Sequence, residues 1–518
     1  LSSGFLLAFN RLFENTQVSS LGVSFLSASN LLIILFVLML GILIEMIRHS
    51  KAANAFVTFT NSKIQSQKAA ETSSLILSHC LCIDDYLSSL TVGSVLRPIT
   101  DRFQIARIKL AFLTDSMAAP LAIITPISSW AAAIIGFLTD NGVSQVIDEK
   151  TLLLASPYSL YLKILPYIFY SVTLIGAVWA IVHFRISFGL MQKHDIIAKT
   201  TGNLVGGKEI EFSNYQEKSA GSREANILDF FLPIGSLLIF TILLILYFGG
   251  YWLFGGELSL FGAMRQAPIS LVLFLSGVFC LTLSSIYYLA TKKFYFSELA
   301  SVFLSGIKLM FPVSVILLLA WTMGGLLRQD LQTGQWIASL ITGVFPIEWM
   351  PLILFWTASI IALSLGSSWA TAAILFPIAI PMVMSMSHLS GPITIEEIPI
   401  LLPIFGAILS GAVCGDHISL ISDTTIMATS SSGCDLIDHV KSQAAYSLPV
   451  FLGTSLGYAA SGYFIQDIAS LPYLGLSIGI SLLTTVGLIQ LMRTLYGQDE
   501  AQQESETLDA PLPESASE

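Results

Sequence analysis

The densest chemistry in the sequence is a polar run inside an apolar stretch, Gly415-Asp416-His417-Ile418-Ser419-Leu420-Ile421-Ser422-Asp423-Thr424-Thr425. Read as a continuous helix, it puts Asp416, Ser419 and Asp423 at i, i+3 and i+7, on one face. Two carboxylates and a hydroxyl on one stripe, with Ser422 and Thr424 beside them, suit a small hard cation, which takes oxygen ligands. Unwinding near Gly415 would add freed carbonyl oxygens. Carboxylates a turn or two apart also repel when both are ionised, so one of them holds a proton more tightly. The same atoms can then hold either a cation or a proton. The plainer reading makes these aspartates helix caps, but four polar groups at helical spacing inside an apolar region favour a site. His417 points away from that face, where a structural hydrogen bond and a proton relay are equally open to it.

Three other clusters carry oxygen donors. In Ile83-Asp84-Asp85-Tyr86 the two acids lie about 100° apart if helical, so one faces the site. The other caps the structure or meets Arg97 or Arg102, and which does which is open. Asp115-Ser116-Met117-Ala118-Ala119-Pro120 reads as the start of a helix break. Pro120 lacks a donor and frees a carbonyl, and Ala118 and Ala119 admit a close neighbour. Pro126, Ser128 and Ser129 extend that break, while a plain N-terminal cap is the competing role for Asp115. Gly366-Ser367-Ser368-Trp369-Ala370-Thr371 reads as a hairpin tip offering the Ser367, Ser368 and Thr371 hydroxyls to an ion, with Trp369 packing. The helix after it would offer its positive N-terminus to an anion, and a tight turn with a cap explains the same residues. Thr91 and Ser94 join the list through Leu90-Thr91-Val92-Gly93-Ser94, which echoes Leu363-Ser364-Leu365-Gly366-Ser367. A sodium ion would take Asp115, Asp416, Ser419 and Asp423. Cys80, Cys82, Cys280, Cys414 and Cys434 lie in or beside apolar segments and read as inert core residues.

What positions these groups is a membrane. The chain has 518 residues, 54% hydrophobic and 11% charged, where a soluble chain is about one-quarter charged. A crossing helix needs about 20 mostly apolar residues. Stretches at 30–47, 157–183, 229–253, 268–290, 309–327, 443–464 and 470–492 qualify. Those at 73–100, 105–137, 350–388 and 399–432 are apolar but interrupted by acids, prolines or Gly-Ser steps at a depth that lipid penalises. If 73–100 and 350–388 are hairpins and the 184–228 loop is cytoplasmic, then of 24 basic residues only Arg11, Lys150, Lys163, Arg265 and Arg328 fall outside, as the positive-inside bias requires. A span, an amphipathic stretch (51–68, 329–342), a hairpin, a broken span and a closing span then occur twice, from opposite sides.

The expected fold is therefore an all-α, multi-pass integral membrane protein. It is an inverted-repeat secondary transporter with two re-entrant hairpins and two broken transmembrane helices. Residues 1–29 form an N-terminal segment, 30–183 the first repeat, 184–228 a cytoplasmic linker, 229–308 connecting helices, 309–465 the second repeat and 466–492 a last transmembrane helix. The acidic tail at 493–518 reads as disordered and carries much of the net charge of −10. No cleavable signal peptide is expected, and Leu1–Phe13 resembles the end of an apolar helix, which would imply a further segment upstream.

The segments IDDYLSSLTVGSVLRPITDRF, KLAFLTDSMAAPLAIITPISSW, SLGSSWATAAILFPIAIP and GDHISLISDTT, followed by CDLIDHVKSQAAY, resemble the signature segments of the NhaC-type Na+/H+ antiporter family. The resemblance covers roughly residues 30–465, and GDHISLISDTT is its most specific part. Leu420 stands where family members often carry proline, which predicts a less sharp break, and the leading segment is short. The resemblance implies a proton- or sodium-coupled transporter of a bacterial inner membrane, and similar proteins exchange sodium, organic acids or amino acids. Three functions follow: Na+/H+ antiport, coupled transport of an organic acid or amino acid, and intramembrane aspartyl hydrolysis, which an inverted repeat disfavours. No cofactor is expected beyond Na+ and H+ as transported or coupling ions. The expected partners are lipid, small ions or a small organic anion or amino acid, and a second copy of the chain, with no nucleic acid.

Overall fold

The computed structural model describes residues 29–50, 64–148, 151–208, 226–259, 262–263, 266–325, 331–332, 336–337, 339–340, 344–389, 391–464 and 471–497. The N-terminal segment, much of both amphipathic stretches, the middle of the linker and most of the acidic tail lie outside the described residues. The helices are α1 (Ser29–His49), α2 (Gln67–Cys80), α3 (Asp85–Arg102), α4 (Arg107–Ile124), α5 (Ser129–Asp140), α6 (Pro157–Ile164), α7 (Phe169–His183), α8 (Gly189–Thr201) and α9 (Ile227–Phe248). They continue as α10 (Ile269–Ala290), α11 (Phe296–Gly325), α12 (Met350–Leu365), α13 (Ser368–Met386), α14 (Leu401–His417), α15 (Asp423–Ser432), α16 (Leu436–Phe464) and α17 (Leu471–Tyr496). A two-residue parallel pair, Val143–Ser144 with Leu153–Leu154, is the only sheet among the described residues.

The protein is a multi-pass integral membrane protein, and its burial pattern shows why. Helices α9, α10, α11 and α17 turn large apolar side chains outward, among them Ile239, Phe279, Ile286, Phe311 and Leu483. Such faces are stable only against lipid. The interrupted helices lie inside this belt: α4 is buried from Ile108 through Ile123 and α14 over its whole length. Backbone can break at membrane depth only where protein or a water-filled cavity surrounds it.

The break in the first interrupted span lies later than the sequence suggests. Helix α4 runs unbroken through Asp115, Ser116 and Pro120, and ends at Ile124. Packing on every side of α4 outweighs the one hydrogen bond that Pro120 removes. The chain turns by 47° only at Thr125–Ser128. Pro126 excludes the helical region for the residue before it, and Thr125 is extended with ψ 119°. The second break is not at Gly415 either. Gly415 stays in α14, where the lack of a side chain lets the helix approach the Ser359 carbonyl of α12; a Cβ there would lie 2.0 Å from that oxygen. Helix α14 ends at His417 and α15 starts at Asp423. Asp416, Ser419 and Asp423 therefore do not share one helical stripe. The break is well defined although position 420 is leucine. The span expected at 157–183 is also two helices, α6 and α7, bent by 48° through a 3-10 turn containing Pro166.

The two hairpin regions turn at Leu81–Asp84, between α2 and α3, and at Gly366–Ser367, between α12 and α13. Leu90–Ser94 lies inside α3, so it is not the structural counterpart of Leu363–Ser367. A closer correspondence joins the breaks. Thr125-Pro126-Ile127-Ser128-Ser129 and Ser419-Leu420-Ile421-Ser422-Asp423 both bridge two helices, and each serine four residues into its segment caps the next one.

Gly366 shows how tightly one turn fits. It adopts φ +62°, and a Cβ would meet Ile421 side-chain and backbone atoms at 2.6–2.8 Å. A left-handed non-glycine residue costs about 1–2 kcal/mol before any clash. Gly366→Ala is expected to lower thermal stability by at least that much. An unchanged unfolding midpoint would show that the turn and the second break do not press on each other.

Candidate functional site

Four helices begin at this centre, each with its own side-chain cap. Asp84 Oδ1 accepts from Leu87 N at 2.9 Å (α3), Ser128 Oγ from Ala131 N at 3.0 Å (α5), Ser367 Oγ from Ala370 N at 3.3 Å (α13), and Ser422 Oγ from Thr425 N at 3.4 Å (α15). Each cap satisfies a backbone donor that a helix start leaves open. The four starts touch one another in a chain. Trp130 of α5 donates from Nε1 to Asp85 Oδ2 of α3 at 2.9 Å. Its ring packs against Trp369 of α13 with centroids 4.5 Å apart. Ser368 of α13 donates to Asp416 Oδ2 of α14 at 3.1 Å. The Tyr86 hydroxyl of α3 donates to Asp423 Oδ2 of α15.

These contacts assign several candidates. Asp84 is the cap and Asp85 meets Trp130, and both are buried. Asp416 is buried, with one oxygen on Ser368 and the other, Oδ1, without a partner. Asp423 is half-buried, and its Oδ1 accepts from Thr424 N at 2.8 Å. Ser419 spends its hydroxyl on the Leu363 carbonyl at 3.0 Å, tying the break to α12. Ser422 and Thr424 pair their hydroxyls at 3.1 Å, and Thr371 bonds back to the Ser367 carbonyl at 2.9 Å. The buried Ser116 hydroxyl has no hydrogen-bond partner. Ser94 is exposed and bonds within its own helix, so it does not join the cluster, and Thr91, half-buried, lies three residues before it on α3.

Asp115 lies in a separate network. Its Oδ2 accepts from Gln443 Nε2 at 2.6 Å and lies 3.2 Å from His439 Nε2. Gln443 also donates to the carbonyl of His417, whose Nδ1 pairs with the Tyr170 hydroxyl at 3.0 Å. Among the described residues no three His, Cys, Asp or Glu side chains converge on one point as a metal centre would. Asp115, Asp416 and Asp423 have different hydrogen-bond partners here. Sequence reasoning missed Tyr86, Trp130, Tyr170, His439 and Gln443. The last two carried a readable signal, an i, i+4 polar pair at the head of an apolar span, but hydropathy starts that span at 443 and excludes its first polar turn.

Trp130→Phe keeps the aromatic packing and removes the donor to Asp85. A buried acceptor stranded in this way costs about 1–3 kcal/mol. Thermal unfolding of the purified variant is expected to show that loss, and wild-type stability would mean that Asp85 does not depend on Trp130.

Comparison with known proteins gives this geometry a context. The model of the Na+/H+ antiporter family matches residues 121–463. An uncharacterized protein of Haemophilus influenzae is 32% identical over 464 residues, covering 89% of this chain and 84% of that protein. The malate-2H(+)/Na(+)-lactate antiporter of Bacillus subtilis is 27% identical over 214 residues, 39% of this chain and 40% of that one. The fold resembles the YdaH transporter of Alcanivorax borkumensis, with a TM-score of 0.50, 16% identity and 90% of each chain covered. The chain belongs to the Na+/H+ antiporter family, and is a secondary transporter of the membrane.

Proposed function

We propose that this transporter exchanges Na+ for protons by alternating access, and that Asp416 and Asp423 are carboxylates at which the two compete. One observation carries the reading. Both acids flank the α14–α15 break, each held by a neutral hydroxyl, Ser368 or Tyr86, and no lysine or arginine is paired with either among the described residues. A buried ion without a countercharge costs several kcal/mol or more. The empty site must then bind a cation or a proton, and exchange follows from that alternative. Two further features support alternation between 30–183 and 309–465 as inverted copies, each with a re-entrant hairpin and a broken span. The breaks match in sequence and in their serine caps, and Trp130 of one half packs on Trp369 of the other.

A second reading, transport of an organic anion, is favoured by Trp369. Its indole N–H is buried without an acceptor, and it is a donor only, so a bare metal ion cannot satisfy it. A carboxylate at the start of α13 would.

In proteoliposomes with a proton-reporting dye, a Na+ gradient is expected to drive proton movement. Asp416→Asn and Asp423→Asn should each abolish it while eluting as folded protein, and full activity in either variant removes that residue from the site. Malate, lactate or amino acids driving proton movement when Na+ does not would select the second reading.

We infer from the basic residues of 184–228 that this linker is cytoplasmic. A cysteine at exposed Thr200, in a cysteine-free background, is expected to resist impermeant reagents applied from outside intact cells. Rapid labelling would reverse the orientation.

A further inference from the structure

Gln443 occupies an unusual place for an amide. It is wholly buried in α16, and its Nε2 donates both to Asp115 Oδ2 of α4, at 2.6 Å, and to the carbonyl oxygen of His417, the last residue of α14. That carbonyl is one that a helix leaves open at its C-terminus. One NH2 group thus bridges a carboxylate oxygen and a helix-end carbonyl from two different helices. These are the oxygen types that monovalent ions take at broken transmembrane helices. The other end of the amide, Oε1, is buried with no hydrogen-bond partner. Apart from Gln443, the hydrogen-bond partner of Asp115 is His439, with the His417 imidazole nearby, and no lysine or arginine is paired with this acid among the described residues.

We propose that Asp115 Oδ2, the His417 carbonyl oxygen and Gln443 Oε1 form a further monovalent-cation site, closed in this conformation by the Gln443 amide nitrogen lying between the two oxygens. The two ends of an amide are nearly equal in shape and opposite in hydrogen-bond character. Rotation about the terminal torsion, with a small withdrawal of the flexible stem, replaces N–H by Oε1. In the closed form Gln443 satisfies both oxygens with N–H groups. In the open form it adds a third oxygen, and the ion takes over the bridge between α4, α14 and α16. Amide and ion are alternatives, so the site empties without leaving the Asp115 carboxylate bare. The inference rests on the exchange reading for what the ion does, and stands apart from it for where the ion binds.

The test is thermal unfolding of the purified full-length protein in NaCl against choline chloride at equal ionic strength, which needs no transport. Wild type is expected to melt higher in Na+. Asp416→Asn should keep part of that gain, and adding Gln443→Leu should remove the part that remains. In Gln443→Leu alone the half-maximal Na+ concentration is expected to rise about tenfold or more. Gln443→Glu, which supplies a second carboxylate, should enlarge the Na+-dependent gain. Gln443→Asn, too short to reach both oxygens, replaces the leucine variant if that fails to fold, and should likewise lose Na+ sensitivity. The proposal is overturned if wild type shows no gain, if Asp416→Asn removes all of it, or if the Gln443 variants shift melting equally in both salts. That last result would leave Gln443 a structural hydrogen bond. A surviving Gln443-dependent gain alongside failed Na+-driven proton movement would refute the exchange reading and keep the site.

Discussion

The rest of the structure depends on one constraint: carboxylates placed in an apolar interior without permanent positive partners. Asp84, Asp85, Asp115, Asp416 and Asp423 all lie within or beside membrane-depth helices. Their partners include backbone amides, an indole, hydroxyls, an amide and a histidine. Lysine and arginine are used differently. The Lys109 ammonium, buried at the head of α4, is matched by Glu71 at 2.9 Å and Asp195 at 3.5 Å. The fold can therefore bury a fixed ion pair and does so near the linker helix. At the centre no lysine or arginine is paired with Asp416 or Asp423 among the described residues, and their side-chain partners are neutral hydroxyls.

The backbone supplies what the side chains withhold. A helix N-terminus carries roughly half a positive charge, and Asp84, Asp85 and Asp423 sit on the caps or first residues of α3 and α15. Asp416 sits at the other end of a helix, next to the open carbonyls of α14, with Ser368 as its recorded donor. The two acids flanking one break thus meet opposite ends of helix dipoles. A cation between them would touch a carboxylate favoured by its helix and one that its helix does not favour. Breaking α14 at His417 creates this pairing; an unbroken helix would have put both acids on a single stripe with no dipole end near either.

Much of this was legible in the sequence. Low charge and apolar runs identify the membrane class, and the interruptions mark the elements that carry chemistry, including Asp84, Asp85, Asp416, Asp423 and the Ser367–Ser368 turn. What was not legible is where each interruption falls. Pro120 reads as a breaker, yet burial around α4 overrides it, and the working signal is Pro126 acting on Thr125. Leu90–Ser94 resembles a hairpin tip in composition, but the turn lies at Leu81–Asp84, where Asp84 caps α3. Spacing read on an ideal helix placed Asp416 and Asp423 together by a route the chain does not take. The contacts that hold the two networks, such as Trp130 to Asp85 and Gln443 to Asp115, join residues far apart in sequence. Periodicity has no access to such pairs.

The first turn of α16 connects the interior to the linker. Asp438 is buried and pairs with the exposed Lys208 at 2.6 Å and with His194 at 3.6 Å, while Lys208 also reaches Asp435 at 3.3 Å. The hydrogen bond to Asp438, then that to Asp435, raises the Lys208 ammonium above its ordinary pKa, against slight burial, so the ammonium is charged at neutral pH. The next residue, His439, faces inward onto Asp115. Gln443, one turn further, holds Asp115 and the end of α14 together. Helix α16 is stiff over this distance, so a shift of its first turn moves all three contacts at once. The linker segment is bound to α4 as well, since the Arg107 amide donates to the Leu204 carbonyl at 3.0 Å. If the halves move against each other, the linker must either move with them or lose its charged clip. The clip lies at the surface, where such pairs contribute little, and the Gln443 bridge is buried. The clip is therefore the weaker of the two contacts, and the linker can part from α16 while the Gln443 bridge stays intact.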